Sequence, residues 1–480
     1  KEDKRVLDLR SMTKIKGWMF ALMGAMLMAT SCSDTEFKNG NEDAGTAAPK
    51  NSSALVSVYS DKSGSEASLL VGDVLVENTR TLKLNVPAAC ETVYMKYNTV
   101  SGTTAMKEFA LSSPLTRSAD ESDFLYETNR IASVTLALPE DAVQPTSETD
   151  AGYLFYHNTG VVMFEDGWPT DREIWYDEDF NDVVFEYDLK VTECQDEERM
   201  AIQGSKEELL LTLDVRAVGG MYPTTLGVVL SDLDSKYVDR ITAKLLLKGG
   251  QGTMRELKKE ELSAADKVIV DVPNWCWNND TEGPNRFAKL TVDKAQPKGT
   301  VITLNGLSSL DNDKDGEPKN YFQVTPSHIR EGLPMLRAEI RLIGKEGLTG
   351  DERMAQLEAF EKLILDTKRQ NFFIVASHDN NDFEIHMRGY EPTSAYEGTY
   401  NDLVQKTPSL QGADLYSNER GATWGIKVPV GTCHIYEVKE GKSLKFQEAY
   451  PDFYKWLDSK GAAYKDWYLH PDDEKIVKAW

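Results

Sequence analysis

Alternation of apolar and polar residues is the clearest structural pattern along this chain. The run from Phe185 to Thr192 (FEYDLKVT) alternates strictly, and the run from Leu211 to Ala217 (LTLDVRA) repeats the pattern. A period of two is typical of antiparallel strands with one buried face and one solvated face. Both runs are therefore predicted to be half-buried antiparallel strands.

Many shorter β-prone runs, separated by polar turns, accompany these two. They occupy Leu82–Val86, Thr92–Tyr97, Ile131–Leu138, Ile241–Leu247, Val268–Val272, Phe287–Val292, Val301–Leu304, Ala338–Ile343, Phe372–Val375 and Trp424–Val430. Short strands with polar turns predict a mainly β protein built from antiparallel β-sandwich domains.

Two segments break the β pattern with a helical period. Thr349 and Glu352 can form a capping box that opens one longer inserted helix, which we expect to run through Thr367. The predicted apolar face of this helix holds Met354, Leu357, Phe360, Leu363 and Ile364. Pro451 is predicted to start a short C-terminal helix that ends at Gly461, with Phe453, Trp456 and Leu457 on one face.

The N-terminus has the pattern of an export signal. Lys14 and Lys16 precede an apolar run, Gly17–Ala29, which is shorter than the roughly 20 apolar residues of a membrane span. Ala29, Thr30 and Ser31 then lead into Cys32, which resembles the bacterial lipobox, where a peptidase cuts before a cysteine that receives a lipid. We therefore predict lipidation at Cys32; a secretory signal with an incidental cysteine is the alternative.

These patterns divide the chain into five parts. We predict a signal peptide with upstream read-through at 1–31, lipidated Cys32 and a flexible tether at 32–53, an N-terminal β domain at 54–138, a linker at 139–151, and a β-sandwich region at 152–480 with room for two subdomains. The lipid predicts membrane attachment. Acidic residues after Cys32 resemble the signal that sends Bacteroidota-type lipoproteins to the outer surface of the outer membrane; a periplasm-facing lipoprotein is the alternative.

Charge and cysteine content narrow the classes of partner. The chain has 78 acidic against 54 basic residues, a formal net charge of -24, which disfavours nucleic acid and anionic lipid headgroups and suits cations. Four further cysteines, at 90, 194, 276 and 433, allow two disulfides in three pairings. Their wide spacing argues against a zinc site.

The acidic run YDEDFNDVV is the best candidate for a metal loop. It places Asp177, Asp179 and Asn181 at alternate positions, where their oxygens can curl around one hard cation such as Ca²⁺. Further candidate ligands are Asp182, Glu165 and Asp166. Asp182 stands where an EF-hand has glycine, so the loop is not an EF-hand, and a solvated acidic turn is the alternative.

A second acidic loop and a tryptophan pair are weaker candidates. Asp311, Asp313 and Asp315 match the first three ligand positions of a calcium loop, although no glutamate completes it; a solvated turn is the alternative. Trp275 and Trp277 could form an aromatic platform for a sugar ring, or pack into a sandwich edge.

Several of these motifs together resemble the LruC domain of bacterial surface lipoproteins. They are the elements FED-W-P, DEDFND and VVFEYDLKV, then NFFIVASHDNNDFEIHMRGYEPT from Asn371 and AYPDFYKWLDSKGAAYKDWY from Ala449. The resemblance covers about Gly152 to the C-terminus and implies a β-rich exported domain of uncharacterised function. Tyr176 departs from it, because the family commonly has glycine there.

The predicted function is a non-catalytic cell-envelope lipoprotein, stabilised by calcium, that acts as a surface binding, structural or adhesion protein. Its partner would be a protein or a glycan. The alternative is a carbohydrate-binding protein that supports glycan uptake. A hydrolase is less supported, since the chain has no GxSxG elbow, P-loop or dinucleotide fingerprint.

Overall fold

Antiparallel sheets account for most of the chain that the structure describes. The structure is a computed structural model, and it describes residues 55–59, 61–64, 69–75, 81–87, 92–111, 131–143, 151–169, 177–196, 207–248, 257–273, 287–309, 335–378, 381–406, 415–416, 423–428, 432–439, 442–459, 462–464 and 466–478. The mainly β class predicted from the alternating pattern is confirmed.

The strands are numbered in chain order within these residues. They are β1 (Leu55–Tyr59), β2 (Leu69–Leu75), β3 (Thr81–Pro87), β4 (Thr92–Asn98), β5 (Thr104–Ala110), β6 (Ile131–Ala137), β7 (Ala151–Phe164), β8 (Val183–Asp196), β9 (Glu208–Ala217), β10 (Pro223–Ser231), β11 (Val238–Lys248), β12 (Leu257–Ser263), β13 (Lys267–Pro273), β14 (Phe287–Gln296), β15 (Gly299–Asn305), β16 (Met335–Gly344), β17 (Gln370–His378), β18 (Asn381–His386), β19 (Gly425–Val428), β20 (Val438–Lys439) and β21 (Lys442–Ser443).

A seven-stranded sheet contains the two strands with the strictest alternation. Its order is β12-β11-β16-β9-β8-β7-β19, and β8 pairs with β9 in antiparallel register, Leu189 opposite Leu211. Every second residue of β9, from Leu209 to Ala217, is buried, while the residues between are half-exposed. One face of this sheet therefore supplies core residues, as the period of two requires.

A six-stranded sheet of order β13-β14-β15-β10-β17-β18 packs against the first. Phe372 of β17 contacts two aromatic residues of β8: its ring lies 5.7 Å from the Phe185 ring and 4.6 Å from the Tyr187 ring, centroid to centroid. Residues of both sheets share one buried hydrophobic cluster. Two facing antiparallel sheets with a common core form a β-sandwich, as expected.

The first six strands have a core of their own. They form a four-stranded sheet, β2-β1-β4-β5, and a β3-β6 pair, and their buried cluster includes Val58, Val93 and Leu136. Part of the predicted linker is hydrogen-bonded to this region, because Asp141 accepts a hydrogen bond from the Tyr97 hydroxyl and the Val100 amide donates to the Asp141 carbonyl, both at 2.9 Å.

Within the residues that the structure describes, one helix is long and the others are short. The helices are α1 (Gly350–Leu365), α2 (Glu397–Lys406), α3 (Phe446–Ala449) and α4 (Phe453–Asp458), with 3-10 turns at Ser235–Tyr237, Leu307–Ser309, Thr367–Arg369 and Trp467–Leu469. In the part of the chain that the structure describes, no helix has both the length and the apolar character needed to cross a membrane.

Helix α1 corrects three details of the prediction. Thr349 occupies the N-cap, but its side chain makes no capping hydrogen bond, so the capping box is wrong. Met354 is 42% exposed, and the buried face of α1 consists of Leu357, Phe360, Leu363 and Ile364. The helix also stops at Leu365, two residues short of Thr367, where a 3-10 turn begins.

The C-terminal residues pack through aromatic side chains rather than through a large sheet. β20 and β21 form their own two-stranded sheet. The predicted C-terminal helix is α4, with Phe453 and Trp456 buried and Leu457 partly buried, and α3 precedes it. The Phe446 ring lies 4.9 Å from Phe453 and 5.7 Å from Trp467, centroid to centroid. Gly461 lies outside the described residues.

Candidate metal centre

Three carboxylates converge at the end of the sandwich where β8 begins. Asp177, Asp179 and Glu437 each offer an oxygen, and these oxygens all lie within 4.8 Å of one another. The two aspartates belong to the acidic connection, the residues between β7 and β8 described at 165–169 and 177–182, whereas Glu437 immediately precedes β20. Asp179 is buried, and the other two are half-buried.

The backbone of the acidic connection alternates between ordinary and left-handed conformations. Glu178 and Phe180 have φ values of 57° and 54°, which cost a residue with a side chain roughly 1–2 kcal/mol each. The Asn181 amide donates to Asp179 Oδ1 at 3.0 Å. The left-handed residues alternate with the predicted ligand positions, so the connection forms a tight curl. Strained backbone of this kind is concentrated at functional sites.

Asn181 is the most informative polar residue of the cluster. Its side chain is fully buried, and its Nδ2 donates to Asp179 Oδ2 at 2.8 Å. Its carbonyl oxygen Oδ1 is buried without a hydrogen-bond partner. An unsatisfied buried acceptor costs about 1–3 kcal/mol, and a side-chain carbonyl beside carboxylates is a typical Ca²⁺ ligand. A cation that reached this oxygen would remove the cost of leaving it unsatisfied.

The electrostatics of the cluster are strongly unfavourable without a positive charge. Burial raises the pKa of Glu165, Asp179 and Asp182 well above the usual range, and nearby carboxylates raise these pKa values further. Burial also raises the pKa of Asp166 and of Glu437. The neighbouring charges that act on these five carboxyl groups belong to other carboxylates, which raise their pKa values; the one exception is His378, which acts on Asp166 in the opposite direction.

Three of the predicted ligands have a different role in the structure. Glu165 Oε1 accepts a hydrogen bond from the Phe180 amide at 2.6 Å. Asp182 Oδ2 accepts one from the Asp166 amide at 2.7 Å, and Asp166 Oδ2 accepts one from the Tyr222 amide at 3.0 Å. These carboxylates hold the backbone of the acidic connection, and they are not part of the group that converges with Glu437.

A glycine makes room for this arrangement. A Cβ atom on Gly220 would lie 2.3 Å from Asp166 Oδ2 and 2.9 Å from the Cβ of Asp182. The Gly220 amide in turn donates to the Asp182 carbonyl at 3.2 Å. Any side chain at position 220 would displace Asp166 or Asp182, so the close approach of this backbone depends on glycine.

The converging oxygens suit calcium in number and chemistry. Three carboxylates and the Asn181 carbonyl offer at least four oxygens, and second carboxylate oxygens or water would supply the rest of the roughly six to eight that Ca²⁺ takes. Oxygens on opposite sides of a Ca²⁺ ion are about 4.8 Å apart, twice a bond length of about 2.4 Å, and the oxygens of the cluster lie within 4.8 Å of one another. The residues present therefore fit a hard cation.

Cys32, Trp275, Trp277 and the second acidic loop (Asp311, Asp313 and Asp315) lie outside the described residues. Sequence reasoning missed Glu437, which lies 260 positions after Asp177 in a stretch (HIYEVKE) that has no ligand spacing of its own.

A second buried polar group is satisfied internally. His386 Nδ1 lies 2.7 Å from Asn371 Oδ1, and its Nε2 lies 3.1 Å from Glu384 Oε2. The Glu384 carboxylate also accepts hydrogen bonds from the amide and the hydroxyl of Thr393, both at 2.7 Å. This network joins β17 and β18 to the following loop, which is a structural role.

Comparison with known proteins places the chain in a family. The crystal structure of a protein from Bacteroides ovatus, described as a lipoprotein, matches 89% of this chain and 100% of its own length, with 65% sequence identity and a TM-score of 0.77. This chain belongs to the same family as that lipoprotein. A domain of unknown function, DUF4842, matches residues 349–468. Glu437 lies inside that family region, and Asp177 and Asp179 lie outside it.

Other comparisons add nothing to the assignment. No curated protein matches the chain. The galactosidase domain of an alpha-galactosidase-sucrose kinase aligns with 56% of this chain and 41% of its own, at 7% identity and a TM-score of 0.12. A similarity this low carries no argument about fold or activity.

Proposed function

We propose that this protein is a lipid-anchored cell-envelope protein whose β-sandwich binds Ca²⁺ through Asp177, Asp179, Asn181 and Glu437. The observation that carries the calcium proposal is the convergence of three carboxylates. It is supported by Asn181, whose side chain bonds Asp179 through Nδ2 and has a buried oxygen without a hydrogen-bond partner. The function is non-catalytic: the ion stabilises a surface that binds an envelope or extracellular partner, a protein or a glycan. The LruC-like motifs support only the exported location, since that resemblance implies a β-rich exported domain.

Two findings support the envelope location. The Bacteroides ovatus relative, at 65% identity, is described as a lipoprotein, and Ala29-Thr30-Ser31-Cys32 has the lipobox pattern. A Cys32→Ala variant should lose incorporation of a radiolabelled fatty acid and leave the membrane fraction. Protease treatment of intact cells then separates the two orientations, since only a surface-exposed protein is cleaved. Retention of the label by the variant would contradict lipidation at Cys32.

Calcium binding is tested with the full-length protein after chelation. Calorimetric titration with CaCl₂ should show saturable binding, and calcium should raise the melting temperature because it binds only the native state. Asp179→Asn should weaken binding at least about tenfold, or about 1.4 kcal/mol. The matched control is Asp271→Asn, which changes a half-exposed carboxylate on β13 that pairs with Lys289 of β14. This variant should bind calcium as the wild type does.

Asp179→Asn should change the stability of the protein in opposite directions with and without calcium. Removal of one of the mutually repelling charges should make Asp179→Asn at least as stable as the wild type in EGTA, although it is less stable at saturating calcium. If calcium produces neither heat nor a melting shift in the wild type, the acidic connection is an ordinary buried turn and the proposed function is wrong.

A further inference from the structure

We infer that the cation acts as a clasp that holds the C-terminal segment, residues 432–478, on the acidic connection, so that removal of calcium opens this segment locally. The inference rests on the proposed calcium site. It adds that the ion joins two parts of the chain, since Asp177 and Asp179 come from the connection and Glu437 from the segment. The two parts of the chain therefore bind the same ion across the interface between them.

The contacts around the ion form the interface between these two parts. The Phe446 amide donates to the Glu178 carbonyl at 2.7 Å, and Lys445 Nζ lies 3.1 Å from the Glu178 carboxylate. The Phe180 ring meets the rings of Phe446 and Phe453 edge to face, at centroid distances of 5.4 and 5.9 Å. The curl that forms the metal site therefore also presents Phe180 and Glu178 to the segment.

The C-terminal segment holds together through its own contacts. Ile435 pairs with Ile476 in a β-bridge, and the Val477 amide donates to the His434 carbonyl at 2.9 Å. The Asp472 amide donates to the Ala449 carbonyl at 2.7 Å. β20 and β21 pair in a two-stranded sheet of their own. No backbone ladder of the two large sheets includes these strands within the described residues, so the segment can respond as a unit.

The sign of the force across this interface depends on the cation. Without an ion, the carboxylate of Glu437 and those of Asp177 and Asp179 repel one another at short range in a partly buried site. With an ion, each of the three is attracted to the same point. Because the segment also contributes Phe446, Phe453 and Trp467 to the common hydrophobic core, loss of calcium should open it transiently rather than unfold the sandwich.

Hydrogen exchange measured by mass spectrometry on the full-length protein tests the clasp directly. Amides of residues 446–456 should exchange at least about tenfold more slowly in saturating CaCl₂ than in EGTA. Amides of β9 and β16 at the centre of the seven-stranded sheet should exchange at the same rate in both. Calorimetry on the same samples confirms whether calcium is bound.

Two variants from opposite sides of the interface make the test specific. Glu437→Gln and Asp177→Asn should each bring exchange of residues 446–456 in calcium close to its rate in EGTA, while exchange in β9 stays unchanged. The matched control is Asp473→Asn, an exposed carboxylate of the same segment that pairs with Lys478, which should keep the calcium protection. Agreement between the two variants guards against misfolding of either one.

The failures of the two proposals are distinguishable. If calorimetry detects no calcium binding, the proposed function fails and the clasp fails with it. If calcium binds but protects all parts of the chain equally, or protects β9 and not residues 446–456, the clasp alone is wrong.

Discussion

Phe180 allows a direct test of the strained curl. Its side chain is fully buried against Phe446 and Phe453, yet its φ is 54°. Truncation to alanine should destabilise the protein by roughly 3–5 kcal/mol, the usual cost of removing a buried phenylalanine ring. The left-handed backbone costs a residue with a Cβ roughly 1–2 kcal/mol, and this cost remains in the alanine variant.

Glycine at position 180 should give a more stable protein than alanine does, which reverses the usual order of stability of these two residues. Phe180→Gly also loses the ring, but it relieves the left-handed strain. Against this, glycine loses roughly 0.5–1 kcal/mol more backbone entropy on folding than alanine. The balance leaves Phe180→Gly more stable than Phe180→Ala by about 0.5–1 kcal/mol, whereas at a position with negative φ glycine would be the less stable variant.

Urea denaturation at one fixed calcium concentration measures this difference. Tryptophan fluorescence reports on the relevant region, because Trp456 and Trp467 lie in the aromatic cluster that Phe180 contacts through Phe453. A chain of this size can unfold in more than one step, so the comparison uses the transition of this signal. If the alanine variant is as stable as the glycine variant or more stable, the curl is not strained at Phe180 and the geometric argument fails.

Three further predictions concern the rest of the fold. Arg353 and Glu207 form a fully buried ion pair. Arg353→Met should lower the free energy of unfolding by roughly 3–5 kcal/mol, measured by chemical denaturation, because it leaves the buried charge of Glu207 without its ion-pair partner. Adding Glu207→Gln should recover at least half of this loss. Burial lowers the pKa of His434 to about 3, below its unfolded value of about 6.5. Its contribution to stability is therefore present above pH 6.5 and lost as the pH falls towards 3. Between pH 6.5 and pH 5 the wild type should lose up to about 2 kcal/mol relative to His434→Gln in the same denaturation assay; equal pH dependence would contradict burial of the neutral ring. Gly299 has a φ of 128°, and a Cβ there would lie 2.2 Å from a backbone oxygen, whereas a Cβ on Gly347, with a φ of 73°, would meet open space. Gly299→Ala should therefore lower the melting temperature much more than Gly347→Ala does. Equal shifts in melting temperature would refute this steric explanation.

Local pattern was enough to predict β8 and β9, each of which has one buried face. The alternation in β8 and β9 is visible in the sequence because each strand has a core face and a solvated face, and the structure confirms it. β7 was missed although it has 14 residues. Its centre, His157 to Gly160 (HNTG), has the composition of a turn. In the structure these polar groups are satisfied by β8: Asn158 accepts a hydrogen bond from the Tyr187 hydroxyl, and Thr159 donates to the Tyr187 carbonyl, both at 2.8 Å.

In the metal centre, too, some features follow from neighbours along the chain and others only from the tertiary structure. By itself the sequence determined the export pattern before Cys32, the β class, and the alternate spacing of Asp177, Asp179 and Asn181, because these depend on neighbours along the chain. Only the tertiary structure decided that Glu437 joins them, that Asp166 and Asp182 hold backbone amides instead, and that the Asn181 oxygen is buried without a partner. The physical reason is that a ligand shell is completed by residues close in space. Folding brings Glu437 to the acidic connection through the packing of aromatic residues around Phe180, and no spacing along the chain records that contact.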